Sequence, residues 1–124
     1  MLSLQVLRTG PIRQVCALLV DTRNETAEYL GSLALPARKR LDYVFRRLIE
    51  TGSVNEVTFK QLDGIVYEIK EHKSNTRFYC FLWRPNLIIC THGARKPAGR
   101  ARYQVEIEKV KRWSELCLRE GVIL

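Results

Sequence analysis

The stretch Leu62-Asp63-Gly64-Ile65-Val66-Tyr67-Glu68-Ile69-Lys70, followed after a polar turn by Arg77-Phe78-Tyr79-Cys80-Phe81-Leu82-Trp83, decides the fold. A third apolar run, Leu87 to Cys90, comes after Arg84-Pro85-Asn86 and ends in Thr91-His92-Gly93-Ala94-Arg95-Lys96. Short runs rich in β-branched and aromatic residues, each closed by turn residues, predict an antiparallel meander. A turn over Glu71 to Thr76 sets Lys70 opposite Arg77, Glu68 opposite Tyr79 and Val66 opposite Phe81. Alternation then puts Ile65, Tyr67, Ile69, Phe78, Cys80 and Leu82 on the other face. One face is thus apolar, and the second gathers Glu68, Lys70, Arg77 and Tyr79, as in a sheet packed on one side and open on the other.

Working outward, 124 residues suffice for one domain with a real core, so residues 1–124 read as a single domain. Hydrophobic residues at 46% and charged residues at 27% argue against disorder. No apolar run reaches the length needed to span a bilayer, and Met1 to Arg13 lacks a signal-peptide pattern, so the sequence reads as cytoplasmic with no membrane partner. The net charge of +8 favours a polyanionic partner: nucleic acid, an acidic protein or, less favoured, a membrane surface, without choosing between them. Cys16, Cys80, Cys90 and Cys117 are widely spaced inside apolar runs and read as buried thiols. They are not spaced with His72 or His92 as metal ligands, so neither a metal nor another cofactor is expected.

Before the meander, residues 1–13 read as an N-terminal extension or edge segment broken at Gly10-Pro11. Gln14 to Val20 reads as the first strand. Thr22 and Glu25 form a possible capping box for a helix that turns Ala27, Leu30 and Leu33 inward. Pro36 suits the first turn of a second helix. Its stripe of Leu41, Val44, Phe45, Leu48 and Ile49 faces the sheet, with Arg38, Lys39, Arg46 and Arg47 outside and Gly52 as its stop. Val54 to Gln61 links this helix to the meander. After a basic loop over Pro97 to Arg102, the residues Tyr103, Ile107, Val110, Trp113 and Cys117 define a last helix to about Glu120. Beyond Gly121 the apolar tail Val122-Ile123-Leu124 packs on the core or meets a partner. The predicted class is α+β, in the order β-α-α-β-β-β-α, with the helices on one side of a small antiparallel-rich sheet.

The spacing Leu62-x-Gly64-x-x-Tyr67-Glu68-Ile69-Lys70, then Arg77-Phe78-Tyr79, then His92-Gly93-x-x-Lys96 resembles the RelE/HigB-like toxins of type II toxin–antitoxin systems, in their phage-derived branch. The resemblance covers about Cys16 to Trp113, and its motifs are specific together rather than singly. It implies a RelE-like fold and a metal-independent, ribosome-dependent mRNA endoribonuclease that inhibits translation. It also implies a cognate antitoxin, often a helix-turn-helix protein. The chain departs from the family pattern at Lys70, where Arg is usual, and at Ala94 and Pro97, where Phe and a second Lys are usual. Lys70 keeps the charge and loses the planar fork.

Metal-free RNA cleavage uses the 2′-hydroxyl as nucleophile. It needs a proton acceptor, cations for the phosphorane and a donor for the departing 5′-oxygen. The catalytic candidates are Arg77 for transition-state charge, Lys70 and Lys96 for flanking phosphates, and His92 as acid or base. Glu68 and Tyr79 stand second, and His72 reads as simply exposed. If Leu82 pairs with Leu87, His92 lies opposite Arg77; a register shift of one turns it into the apolar layer. Arg95, Arg100 and Arg102 are the RNA-binding candidates, contacting messenger or ribosomal RNA backbone. Two other readings remain open: a non-enzymatic toxin fold that poisons DNA gyrase, as the ParE-like branch does, and an inactive phage-derived binding protein.

Overall fold

The structure, a computed structural model, describes residues 1–51 and 57–122. Along the chain run β1 (Leu2–Thr9), β2 (Gln14–Val20), α1 (Glu25–Ser32), α2 (Leu35–Thr51), β3 (Phe59–Asp63), β4 (Val66–Glu71), β5 (Thr76–Arg84), β6 (Leu87–Arg95) and α3 (Arg100–Glu120). The six strands form one mixed sheet in the order β1-β2-β6-β5-β4-β3. Among the described strands only β2 and β6 pair in parallel, with Val15 beside Ile88 and Cys16 beside Ile89.

The class is α+β, but the expected order and layering both change. Residues 2–9 form an edge strand antiparallel to β2. The segment expected to begin the meander at Leu62 is divided between two strands. Asp63 pairs with Val66, and Gly64 turns the chain at φ 56°, a left-handed conformation suited to glycine. Ile65, expected on the apolar face, therefore sits at the hairpin tip and is exposed.

Helices cover both faces of the sheet. On one side, Leu41, Val44, Phe45, Leu48 and Ile49 of α2 pack with Val15, Ile69, Phe78, Cys80, Ile88 and Cys90. On the other, Ile107, Val110 and Cys117 of α3 pack with Cys16, Leu18, Val66, Tyr79, Phe81 and Ile89. One-sided packing fails because β2, β5 and β6 carry large apolar side chains at both parities. Leaving Phe81 and Ile89 bare would expose surface worth about 1.5–3 kcal/mol per side chain. Unbroken apolar runs belong to strands buried on both faces.

Two helix starts differ from expectation. The α1 cap is Asn24, whose side-chain oxygen accepts from the Ala27 N–H at 2.9 Å. A bridge between Val20 and Arg23 holds Thr22 in the preceding turn. Helix α3 begins at Arg100, so Arg100 and Arg102 occupy its first turn rather than a loop. The expected stop at Gly52, the link through Val54 and the tail residues Ile123 and Leu124 lie outside the described residues.

Candidate RNA-facing site

Strands β4 and β5 pair as their alternation requires: Lys70 with Arg77, Glu68 with Tyr79, Val66 with Phe81. On β6 the register takes two single-residue irregularities. Arg84 pairs with Leu87, Leu82 with Ile88, Cys80 with Cys90 and Tyr79 with His92. The two slips are opposite in sense, so parity is restored past Thr91 and His92 returns to the face of Glu68 and Arg77. It stands opposite Tyr79 rather than Arg77, and Ala94 takes the place beside Arg77. Gly93 turns the other way, toward α1. A Cβ there would lie 2.7 Å from the Tyr29 ring and 2.8 Å from the Phe78 ring, so only glycine fits without movement.

This polar face is not open. Arg77 is 3% exposed, His92 4% and Glu68 2%. The first turns of α3 supply the residues that meet this face: Tyr103 meets Tyr79 edge-on at 6.4 Å, and Glu106 meets His92. Arg77, expected on a solvent-facing surface, is therefore held inside the molecule. Its Nη1 donates to the Thr76 carbonyl at 2.9 Å. Its Nε stands 3.8 Å from Glu68 Oε2, an ion pair beyond hydrogen-bonding distance. Arg77 Nε, Glu68 Oε2 and the Tyr79 hydroxyl have no hydrogen-bond partner among the described residues.

The electrostatics follow from this enclosure. Burial pushes the Glu68 carboxyl above its ordinary value, outweighing the opposing pull of Arg77, Lys70 and the nearby Tyr103 hydroxyl. Burial and the Lys109 ammonium push His92 below 6.5, against Glu106 and Glu25 acting the other way. The imidazole is held at both nitrogens, Nδ1 by Thr91 Oγ1 at 2.7 Å and Nε2 by Glu106 Oε2 at 3.1 Å. It also stacks on Tyr79 with ring centres 5.1 Å apart. An imidazole held at both ring nitrogens under a helix is a structural strut in this conformation. The Tyr79 hydroxyl is pushed far up by burial and by the Glu68 charge, so it stays protonated.

The remaining expected residues are differently placed. Lys70 is half-buried beside Arg77. Arg95, Lys96, Arg100 and Arg102 are all exposed, and among the described residues no acidic side chain forms an ion pair with them. Lys96 is fixed at its backbone, whose N–H donates to the Asn75 carbonyl at 2.7 Å. These four cations span the exit of β6 and the start of α3. That helix start has Gly99 as cap, no capping side chain and no acidic residue in its first turn. Uncapped N–H groups and flanking cations make a positive end.

The sequence reading missed Tyr103, Glu106 and Thr91 as partners of the polar face. The missed signal was Val66 and Phe81, two apolar residues sharing that face with Arg77, which already required a cover. Among the described residues, no three His, Cys, Asp or Glu side chains gather as a metal site. No helix among them is long and apolar enough to cross a membrane. No family model, curated protein or solved structure matches the chain.

Proposed function

We propose that this protein is the toxin of a type II toxin–antitoxin system and acts on RNA, cleaving messenger RNA on the ribosome. The observation that carries the RNA part is the cluster of Arg95, Lys96, Arg100 and Arg102, exposed and free of acidic partners among the described residues at the positive end of α3. Such a cluster meets phosphates without first breaking an ion pair. Lys70, Arg77 and His92 lie on the sheet face that this end of α3 covers, so a strand bound at the helix start would run over the helix that shields them. The toxin part rests on the sequence resemblance, which also supplies the ribosome and an antitoxin as partners.

Cleavage makes a structural demand. With Tyr103 and Glu106 in place, neither Arg77 nor His92 can touch an RNA strand. Chemistry at these residues therefore requires the first turns of α3 to move aside. Without that movement, Lys96 and the arginines bind phosphates and no proton acceptor reaches the 2′-hydroxyl. The burial of Arg77 favours a second reading, in which the protein engages its target without cutting it, as a non-enzymatic toxin or an inactive phage-derived binding protein.

Growth arrest and RNA affinity together test the reading. Induction of the wild type is expected to halt growth, and Lys96→Ala with Arg100→Ala and Arg102→Ala is expected to relieve the arrest. Because these side chains are exposed, the triple variant should melt with the wild type. A triple variant that remains fully toxic, or a wild type that binds no RNA oligonucleotide, would refute the assignment of this surface.

A further inference from the structure

A second surface lies on the opposite side of the sheet, between α1, α2 and the end of β1. Here Leu7, Leu30, Leu35 and Phe45 line a groove of about 520 Å³. That size accommodates a few aliphatic side chains. Leu35 is 55% exposed at the edge of this groove. Gly31 forms part of the groove wall, and a Cβ there would meet nothing within 4 Å, so the space beside it is open and takes a methyl without being filled. Glycine inside a helix costs about 1 kcal/mol relative to alanine, so its place here works against the helix itself.

The charges around the groove are one-sided. Asp42 is the acid on its wall, and its carboxylate is engaged by Arg8 at 2.7 Å. Arg38 and Lys39 lie on the rim, exposed, and no ion pair engages either among the described residues. The result is an apolar floor under an uncompensated cationic rim. That pattern fits an amphipathic segment with acidic flanks, not a second copy of this basic chain and not RNA, whose backbone has no use for the apolar floor.

We infer that this groove is a docking site for an amphipathic, acid-flanked helix of another protein. Aliphatic side chains on one face of that helix fill the floor, while its Asp or Glu residues meet Arg38 and Lys39. The inference stands apart from the RNA reading, because the groove is on the α1 and α2 side of the sheet and Arg100 and Arg102 are on the α3 side.

The test uses a labelled synthetic helix with leucine at every third or fourth position along one face and glutamate on both flanks, titrated against the full chain by fluorescence anisotropy. Saturable binding is expected, weakened about tenfold or more by Gly31→Leu and by Arg38→Glu with Lys39→Glu. Gly31→Ala, which strengthens the helix without filling the groove, should bind as the wild type does. No saturable binding, or binding that neither variant weakens, would overturn the inference. Equal affinity for a lysine-flanked peptide would overturn the acidic assignment. Release of the peptide by an RNA oligonucleotide would move it to the cations of α3, and self-association of the wild type abolished by Gly31→Leu would make a second copy the occupant. Each of these results contradicts the inference without touching the RNA reading.

Discussion

Arg77 and Glu68 form a buried pair whose Coulomb attraction works over 3.8 Å without a hydrogen bond, so neither charge is well compensated. Removing one partner strands the other. Arg77→Met is expected to cost about 3–5 kcal/mol in urea unfolding, and adding Glu68→Gln should recover most of it. A double variant no better than the single would show that Arg77 stabilises the core through packing alone. His92 gives a pH signature whose sign follows from its depressed value. The unfolded imidazole takes up a proton before the folded one does. Stability is therefore full above about 6.5 and declines as pH falls toward the folded pKa. His92→Gln should flatten that decline, and an unchanged profile in the variant would assign it to other groups. The sequence revealed the pairing of these residues through two-residue alternation, as the match of Lys70 with Arg77 demonstrates. Their burial was signalled only indirectly, by Val66 and Phe81 on the same face, because alternation assigns a face and is silent about which element covers it.

Each structural element kept or lost its legibility for a local reason. Helix α2 announced its apolar stripe from Leu41 to Ile49, and the structure buries all five of those residues. The β3–β4 turn was written in Asp63-Gly64, a strong hairpin signal that the reading of one long strand overrode. The route of β6 depended on two bulges with no sequence signature, so neither the face of His92 nor its neighbour could be assigned from the sequence. Two glycines carry element-level predictions. Gly93→Ala should destabilise by about 1–3 kcal/mol in thermal or urea unfolding, since the rings of Tyr29 and Phe78 must give way to the added methyl. An unchanged midpoint would mean that α1 rests loosely on the sheet. At the start of α3, Gly99 is extended at φ −171°, and a side chain there meets open space. Gly99→Asp is expected to stabilise by about 0.5–1 kcal/mol by capping the free N–H groups and opposing the positive end. The same change should weaken RNA binding. Stabilisation with undiminished RNA affinity would remove the helix start from the interface.

For the molecule as a whole, the excess of positive charge was legible from composition, and the structure concentrates four of these cations, without acidic partners among the described residues, around the entry to α3. If all four contact phosphates, the logarithm of RNA affinity should fall against the logarithm of salt with a slope near −3, and each alanine substitution should reduce it by about 0.7. A slope near zero would exclude backbone contacts as the source of affinity. Composition could not reveal that the sheet is covered on both sides, because that depends on which side α3 returns to. The proposed cleavage of messenger RNA is tested most directly by primer extension on messenger RNA from cells induced for the wild-type chain. New 5′ ends inside translated codons, absent when Lys96, Arg100 and Arg102 are replaced by alanine, are the predicted result; intact messenger RNA in growth-arrested cells would contradict it.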